Sequence, residues 1–141
     1  LYQFKSFMKE KALFELQITS LRNPYMPFIK YNIKDLVQLD SDGNVIQFMG
    51  RARDLLNEKV PVGEMDNRLG EMEDNLLVYS FDLRYEGKVR FVFTTIDDRP
   101  LSSEKEISLI IKEIFPGKKV EFVHELAIKP APSGKFELVK R

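Results

Sequence analysis

Leu77-Val78-Tyr79-Ser80-Phe81-Asp82-Leu83-Arg84-Tyr85-Glu86-Gly87-Lys88-Val89-Arg90-Phe91-Val92-Phe93-Thr94-Thr95 decides the fold class. Leu77, Tyr79, Phe81 and Leu83 alternate with other residues at the period of a strand, and Val89, Phe91, Phe93 and Thr95 do the same after a Glu86-Gly87 turn. Two antiparallel strands follow from that reading, closed by Asp98 and Pro100. Downstream, Ser103 with Glu106 three residues later makes a capping-box signature. Ile107, Ile110, Ile111 and Ile114 then recur at helical spacing until Pro116-Gly117 stops the helix. Val120 to Leu126 reads as another strand, and Pro130, Pro132 and Gly134 as a stiff exposed loop before the tail from Phe136 to Arg141. Upstream, Pro61 opens a helix carrying Val62, Met65, Leu69 and Met72. Residues 53–141 therefore read as a compact α+β unit, a three-stranded sheet packed by two helices.

Residues 1–52 read as β. Phe14, Leu16 and Ile18 alternate with polar neighbours, and Asn23-Pro24 ends that strand. A second alternation puts Ile29, Tyr31, Ile33, Val37 and Leu39 on one face, with Asp35 in the same phase. A carboxylate in that register needs a partner or a ligand. Asp40-Ser41-Asp42-Gly43-Asn44 is a turn, and Val45 to Met49 returns as a strand, giving a hairpin that runs into Gly50-Arg51.

Composition bounds the function. In 141 residues, 43% are hydrophobic and 31% charged, with 22 Lys+Arg against 22 Asp+Glu. Net neutrality offers no electrostatic footprint for nucleic acid or for a membrane surface. The longest apolar runs are too short to span a bilayer. Without cysteine there is no thiol catalysis and no Cys-based zinc site, which suits the reducing cytoplasm. The chain starts at Leu1 with no charged and apolar leader, and reads as a fragment or trimmed piece.

Several chemical candidates reduce to structure. Asp40 and Asp42 suggest a calcium loop, but that loop needs glycine sixth and an acid twelfth, whereas here glycine is fourth and Arg51 twelfth. His124, the sole histidine, shares the phase of Val120 and Phe122 and reads as a satisfied core residue. Asp97 and Asp98 are adjacent and belong to a turn. Lys88 to Phe93 has some likeness to the aromatic strand of RNA-recognition domains but lacks its glycine and third aromatic. No metal site is expected. Asp35, Arg51 and Lys135 remain.

Taken in order, these three resemble the hallmarks of adenylate-forming enzymes. Thr19-Ser20-Leu21 and Met26-Pro27-Phe28-Ile29-Lys30-Tyr31-Asn32-Ile33-Lys34-Asp35 are similar to the family's T-x-L and P-[FL]-I-R-Y-x-x-G-D segments. Gly50-Arg51-Ala52-Arg53-Asp54 is similar to G-R-x-D-D, and Pro130-Ala131-Pro132-Ser133-Gly134-Lys135 to P-x-x-x-S-G-K. The M-P-F-I flavour is nearest to the phenylacetate–coenzyme A ligase branch. Lys30 stands where the family has arginine, Lys34 where it has glycine, Arg53 where it often has an acid, and Lys59 and Val60 where a later glycine falls.

The resemblance implies a two-step acid–thiol ligase. A small carboxylic acid attacks ATP to form an acyl-adenylate, and coenzyme A then displaces AMP. Asp35 would bind the ribose hydroxyls and Arg51 would contact the nucleotide. Arg53 would sit at the hinge, and Lys135, on a moving loop, would reach the α-phosphate and the substrate carboxylate. Magnesium would arrive with the ATP. Residues 1–52 would end the large adenylation domain and residues 53–141 would form the C-terminal lid. The partner is then the N-terminal adenylation domain with its phosphate loop, and this chain alone would be inactive. The alternative is a stand-alone, non-catalytic α+β binding or regulatory module with the lid fold.

Overall fold

The computed structural model describes residues 1–22, 25–57, 60–132 and 134–141. Asn23-Pro24, read as the break after the first strand, Lys59, and Ser133 of the loop motif lie outside the described residues. The fold is α+β, and the chain divides into two compact units: Leu1–Leu55 with Pro61–Glu64, and Leu56–Val60 with Met65–Arg141.

The first unit is a four-stranded antiparallel meander of β1 (Tyr2–Met8), β2 (Leu13–Ser20), β3 (Phe28–Leu39) and β4 (Val45–Arg51), in that order. A 3-10 turn at Lys9–Lys11 joins β1 to β2. The strand β1 is additional to the sequence reading, although Tyr2, Phe4 and Met8 carry the period-two signal. Met8, Leu13, Leu36 and Met49 form the core of one face, with Ala52 and Leu55 packed against it. The β3–β4 turn forms as expected: the Asp40 carboxylate accepts the backbone N–H of Asp42 at 2.9 Å and of Asn44 at 2.8 Å. Those backbone donors, Asn44 first, hold the Asp40 carboxyl below its ordinary pKa. The helix α1 (Val62–Gly70) begins close against β4, where a side chain at Gly63 would place its Cβ 2.8 Å from the Met49 Cα.

The second unit is built on β5 (Leu76–Asp82), β6 (Lys88–Thr95), β7 (Lys119–His124) and β8 (Val139–Lys140), in the sheet order β7-β6-β5-β8. The strands β5 and β6 are antiparallel, β6 and β7 parallel, and β5 and β8 parallel. The expected three-stranded sheet thus gains a short fourth strand from the tail. Register places Phe81 opposite Phe91 and Phe91 opposite Phe122, so one face carries a continuous aromatic cluster. Phe91 lies within 5.8 Å, centroid to centroid, of Tyr79, Phe81, Phe93 and Phe122.

The helix α2 (Glu104–Ile114) buries Ile107, Ile110, Ile111 and Ile114, the stripe expected from the sequence. Its N-terminus is capped differently from the expected Ser103–Glu106 box. Ser103 makes no side-chain cap, and its hydroxyl donates instead to the Met72 carbonyl. The buried Glu73 carboxylate accepts the backbone N–H groups of Ser102 at 2.7 Å and Ser103 at 3.0 Å. A full negative charge satisfies orphan donors at a helix start better than a hydroxyl. Burial works to raise the Glu73 pKa, but these donors outweigh it and hold the carboxyl below its ordinary value. On α1, Asp66 accepts the buried Tyr79 hydroxyl at 2.5 Å, and burial together with that carboxylate pushes the phenol pKa upward.

Candidate functional site

Asp35 and Arg51 come together at the end of the β3–β4 ladder. They are directly opposed in register, and Arg51 Nε lies 3.5 Å from Asp35 Oδ1. Strand alternation alone would separate them. Counting from the Val37–Phe48 pair, Asp35 is two residues away on β3 while Arg51 is three away on β4. The extra residue on β4 is a bulge, with Gly50 at a φ of +94°, and it returns Arg51 to the face of Asp35. This resolves the odd phase of Asp35, whose partner in the ladder is a cation.

Asp35 is about a third exposed at the side chain and Arg51 more than half. The pair is therefore open to solvent. One edge-on ion pair at 3.5 Å leaves the carboxylate with lone pairs for further donors. Asp35 also borders a groove of about 420 Å³ that runs over the sheet between Phe4, Leu16, Ile18, Ile33 and Phe48. An apolar groove bordered by a carboxylate suits a ligand that combines an apolar body with hydroxyl groups.

Arg53 lies in the turn after β4, where the Asp54 N–H donates to the Arg51 carbonyl at 2.9 Å, and its own Nε stands 3.5 Å from Asp54 Oδ1. Its side chain is largely exposed.

Lys135 is in the second unit, in the segment between β7 and β8. Its carbonyl accepts the Ala131 N–H at 2.9 Å, and the Gly134 N–H returns to the Ala131 carbonyl at 2.8 Å. These two bonds tie Ala131 to Gly134 and Lys135, with Gly134 at a φ of +73°. The Lys135 side chain is exposed, and among the described residues no ion pair to it is found.

His124 is partnered, but it stands exposed at the end of β7 rather than in the core as expected, because the strand runs out there. Its ring stacks on Phe93 at 5.0 Å and 7°, and its Nε2 lies 3.1 Å from the Thr95 hydroxyl and 3.5 Å from Asp98. Among the described residues no group of three or more His, Asp or Glu side chains could hold a metal ion, and no helix is long and apolar enough to cross a membrane. Sequence reading passed over Glu15, placing it on the polar side of β2. It is buried, 6% exposed, and accepts Asn32 Nδ2 at 2.6 Å. The strand bulges that rotate neighbouring residues gave no period-two signal that could have identified it.

Solved structures share this fold. The chain aligns with 2-hydroxyisobutyryl-CoA ligase, in its postadenylation state with R3-HIB-AMP, at a TM-score of 0.60 and 16% identity, over 90% of this chain and 31% of that one. The fold is shared with adenylate-forming ligases. NpsA of Klebsiella oxytoca, in complex with 3-hydroxyanthranilyl-AMSN, matches at a TM-score of 0.54 and 12% identity over 87% of this chain and 29% of that one. A variant of the coronafacic acid ligase of Pectobacterium brasiliense matches at 0.52 and 21% identity, over 90% and 29%. The chain spans about a third of the length of these ligases. No family model matches the sequence, and no curated protein does. At these identities the likeness establishes the fold, and activity must be argued from the site.

Proposed function

We propose that the chain is the C-terminal portion of an ATP-dependent acyl–coenzyme A ligase of the adenylate-forming family, near the phenylacetate–coenzyme A ligase branch. The observation that carries the reading is the Asp35–Arg51 pair, solvent-open and opposed across β3 and β4, in a fold shared with ligases and in the order of the family's motifs. Residues 1–52 are the end of the large adenylation domain, and residues 53–141 are the lid. Asp35 accepts the ribose hydroxyls of ATP, as an ionised carboxylate accepts two donors at once. Arg51 holds that carboxylate in place and contacts the nucleotide. Arg53, on its exposed turn, is the hinge residue.

Lys135 supplies the charge for the first step. As the substrate carboxylate attacks the α-phosphorus, negative charge accumulates on the phosphate oxygens, and an ammonium placed there stabilises the transition state more than the ground state. A carboxylate oxygen forms the new bond to the α-phosphorus as its bond to the α–β bridging oxygen breaks, and pyrophosphate leaves with the magnesium that would come with the ATP. The thiol of coenzyme A then attacks the acyl carbon, and AMP departs. The phosphate loop and acyl pocket are supplied by the N-terminal adenylation domain. The cytoplasm, where ATP and coenzyme A are abundant and no cysteine needs pairing, is the compartment that fits.

Intact mass of the native protein tests the first half of this reading. A mass several times 16.5 kDa is expected; a native mass equal to this chain would favour a free-standing, non-catalytic module. In the complete enzyme, Lys135→Ala should lower ATP–pyrophosphate exchange by about a hundredfold or more, the scale of losing one transition-state charge contact. Undiminished exchange in a folded variant would remove Lys135 from the mechanism.

A further inference from the structure

We infer that Glu15 and Asn32 are positioning residues that set the geometry of Asp35 and Arg51 from the opposite face of the sheet. Lys34, immediately before Asp35, has its backbone in the left-handed region at a φ of +66°. A side chain with a Cβ is disfavoured there, and such a residue persists only where its surroundings hold it. Asn32 provides the hold. Its Oδ1 accepts the Lys34 N–H at 2.8 Å, the contact by which an asparagine closes the backbone two residues ahead. Asn32 is fixed in turn, because its Nδ2 donates to the buried Glu15 Oε2 at 2.6 Å. The other Glu15 oxygen lies 3.6 Å from Lys34 Nζ, so one carboxylate grips both ends of the kink.

The kink has a direct consequence at the site. The Lys34 carbonyl accepts the Ala52 N–H at 2.9 Å, which pins β4 one residue beyond Arg51. Asp35 and Arg51 are then brought opposite each other by backbone bonds on both sides. Leu16, next to Glu15 in sequence, borders the same groove as Asp35, so Glu15 itself faces the other way and cannot meet a ligand there. Its influence on the site passes through Asn32 and Lys34. The geometric claim stands on the structure alone; its effect on nucleotide binding rests on the proposed function.

The test is a rescue experiment. Asn32→Ala should raise the exchange rate of the Ala52 amide hydrogen at least tenfold in this chain, with less than a twofold change at Phe91. Adding Lys34→Gly to that variant should bring Ala52 back to within threefold of the parent, because glycine adopts the left-handed backbone without help. Glu15→Gln, which still accepts from Asn32, should retain Ala52 protection. In the complete ligase, Asn32→Ala should raise KM for ATP about tenfold with kcat nearly unchanged, and the double variant should restore it. Unchanged exchange at Ala52, or a loss that Lys34→Gly fails to rescue, would overturn the positioning role. Rescue of Ala52 exchange in a native protein that catalyses no ATP–pyrophosphate exchange would retain the positioning role and reject the ligase reading.

Discussion

Asp35 and Arg51 face each other because β4 holds one residue more than β3 over the same stretch. The bulge at Met49-Gly50 is thus part of the candidate site, although neither residue contributes a polar side chain to it. Bulges commonly re-aim a side chain in this way.

Asp35→Ala should separate ligand binding from folding. The Asp35–Arg51 pair is exposed, so its loss should change the stability of this chain by no more than about 1 kcal/mol. On the proposed function, the same substitution in the complete enzyme should weaken ATP binding by about ten- to a hundredfold, the scale of hydrogen bonds to a charged acceptor. Titration calorimetry checks the second figure, and an unaltered affinity would return Asp35 to a structural role.

Gly50→Ala should destabilise the first unit more than Gly43→Ala. Both positions have positive φ, and alanine there costs about 1–2 kcal/mol. At Gly43 the added Cβ meets nothing within 4 Å, whereas at Gly50 it would stand 3.3 Å from the Val62 Cβ. Urea midpoints of the two variants give the comparison; equal losses would mean that the Val62 contact is relieved freely.

Acid should act on the second unit through Glu73. Its folded pKa is depressed, so its contribution to stability is complete above the ordinary carboxylate range and is lost as the pH falls through the depressed value. Glu73→Gln should be less stable than the parent by about 1–2 kcal/mol at pH 7. The gap should close as the pH drops below about 4. Urea unfolding at both pH values decides it, and a gap independent of pH would assign the effect to packing.

Phe91→Ala should cost about 3–5 kcal/mol, since it empties the centre of the aromatic cluster. Leu77, on the same sheet but 62% exposed, should tolerate alanine within about 0.5 kcal/mol. Thermal unfolding of both variants tests the contrast, and comparable losses would mean that the cluster is not the centre of the core.

What was legible in the sequence was whatever depended on a regular period. The α2 stripe of Ile107, Ile110, Ile111 and Ile114 and the alternation through Phe91 and Phe93 follow from neighbours a few residues apart, and both are found as expected. The cap of α2 was missed because Ser103 and Glu106 give a local signal, while Glu73 acts from 30 residues away with a stronger charge. The phase of Asp35 calls for a partner or a ligand, but its pairing with Arg51 depends on a bulge on another strand, which the alternation of β3 cannot show. Glu15 was hidden for a related reason: its burial depends on Asn32 and Lys34, which reach it across a register shift between β2 and β3. The residues Asp35, Arg51 and Lys135 stand out from phase and position, but the roles proposed for them come from motif resemblance, which spacing alone does not supply.

The two-residue strand β8 changes what Lys135 can do. Backbone bonds from Phe81 to Leu138 and from Leu83 to Lys140 fasten the chain on one edge of the sheet, while β7 fastens it on the other. The edges are three strand spacings apart, about 14 Å, yet the connecting segment could stretch to roughly 45 Å. Lys135 therefore lies on a segment fastened at both ends, whose contour is about three times its shortest path. In the role proposed for Lys135, that surplus length would set how far the ammonium can travel, so shortening the segment or unfastening β8 should lower ATP–pyrophosphate exchange without touching the ammonium itself.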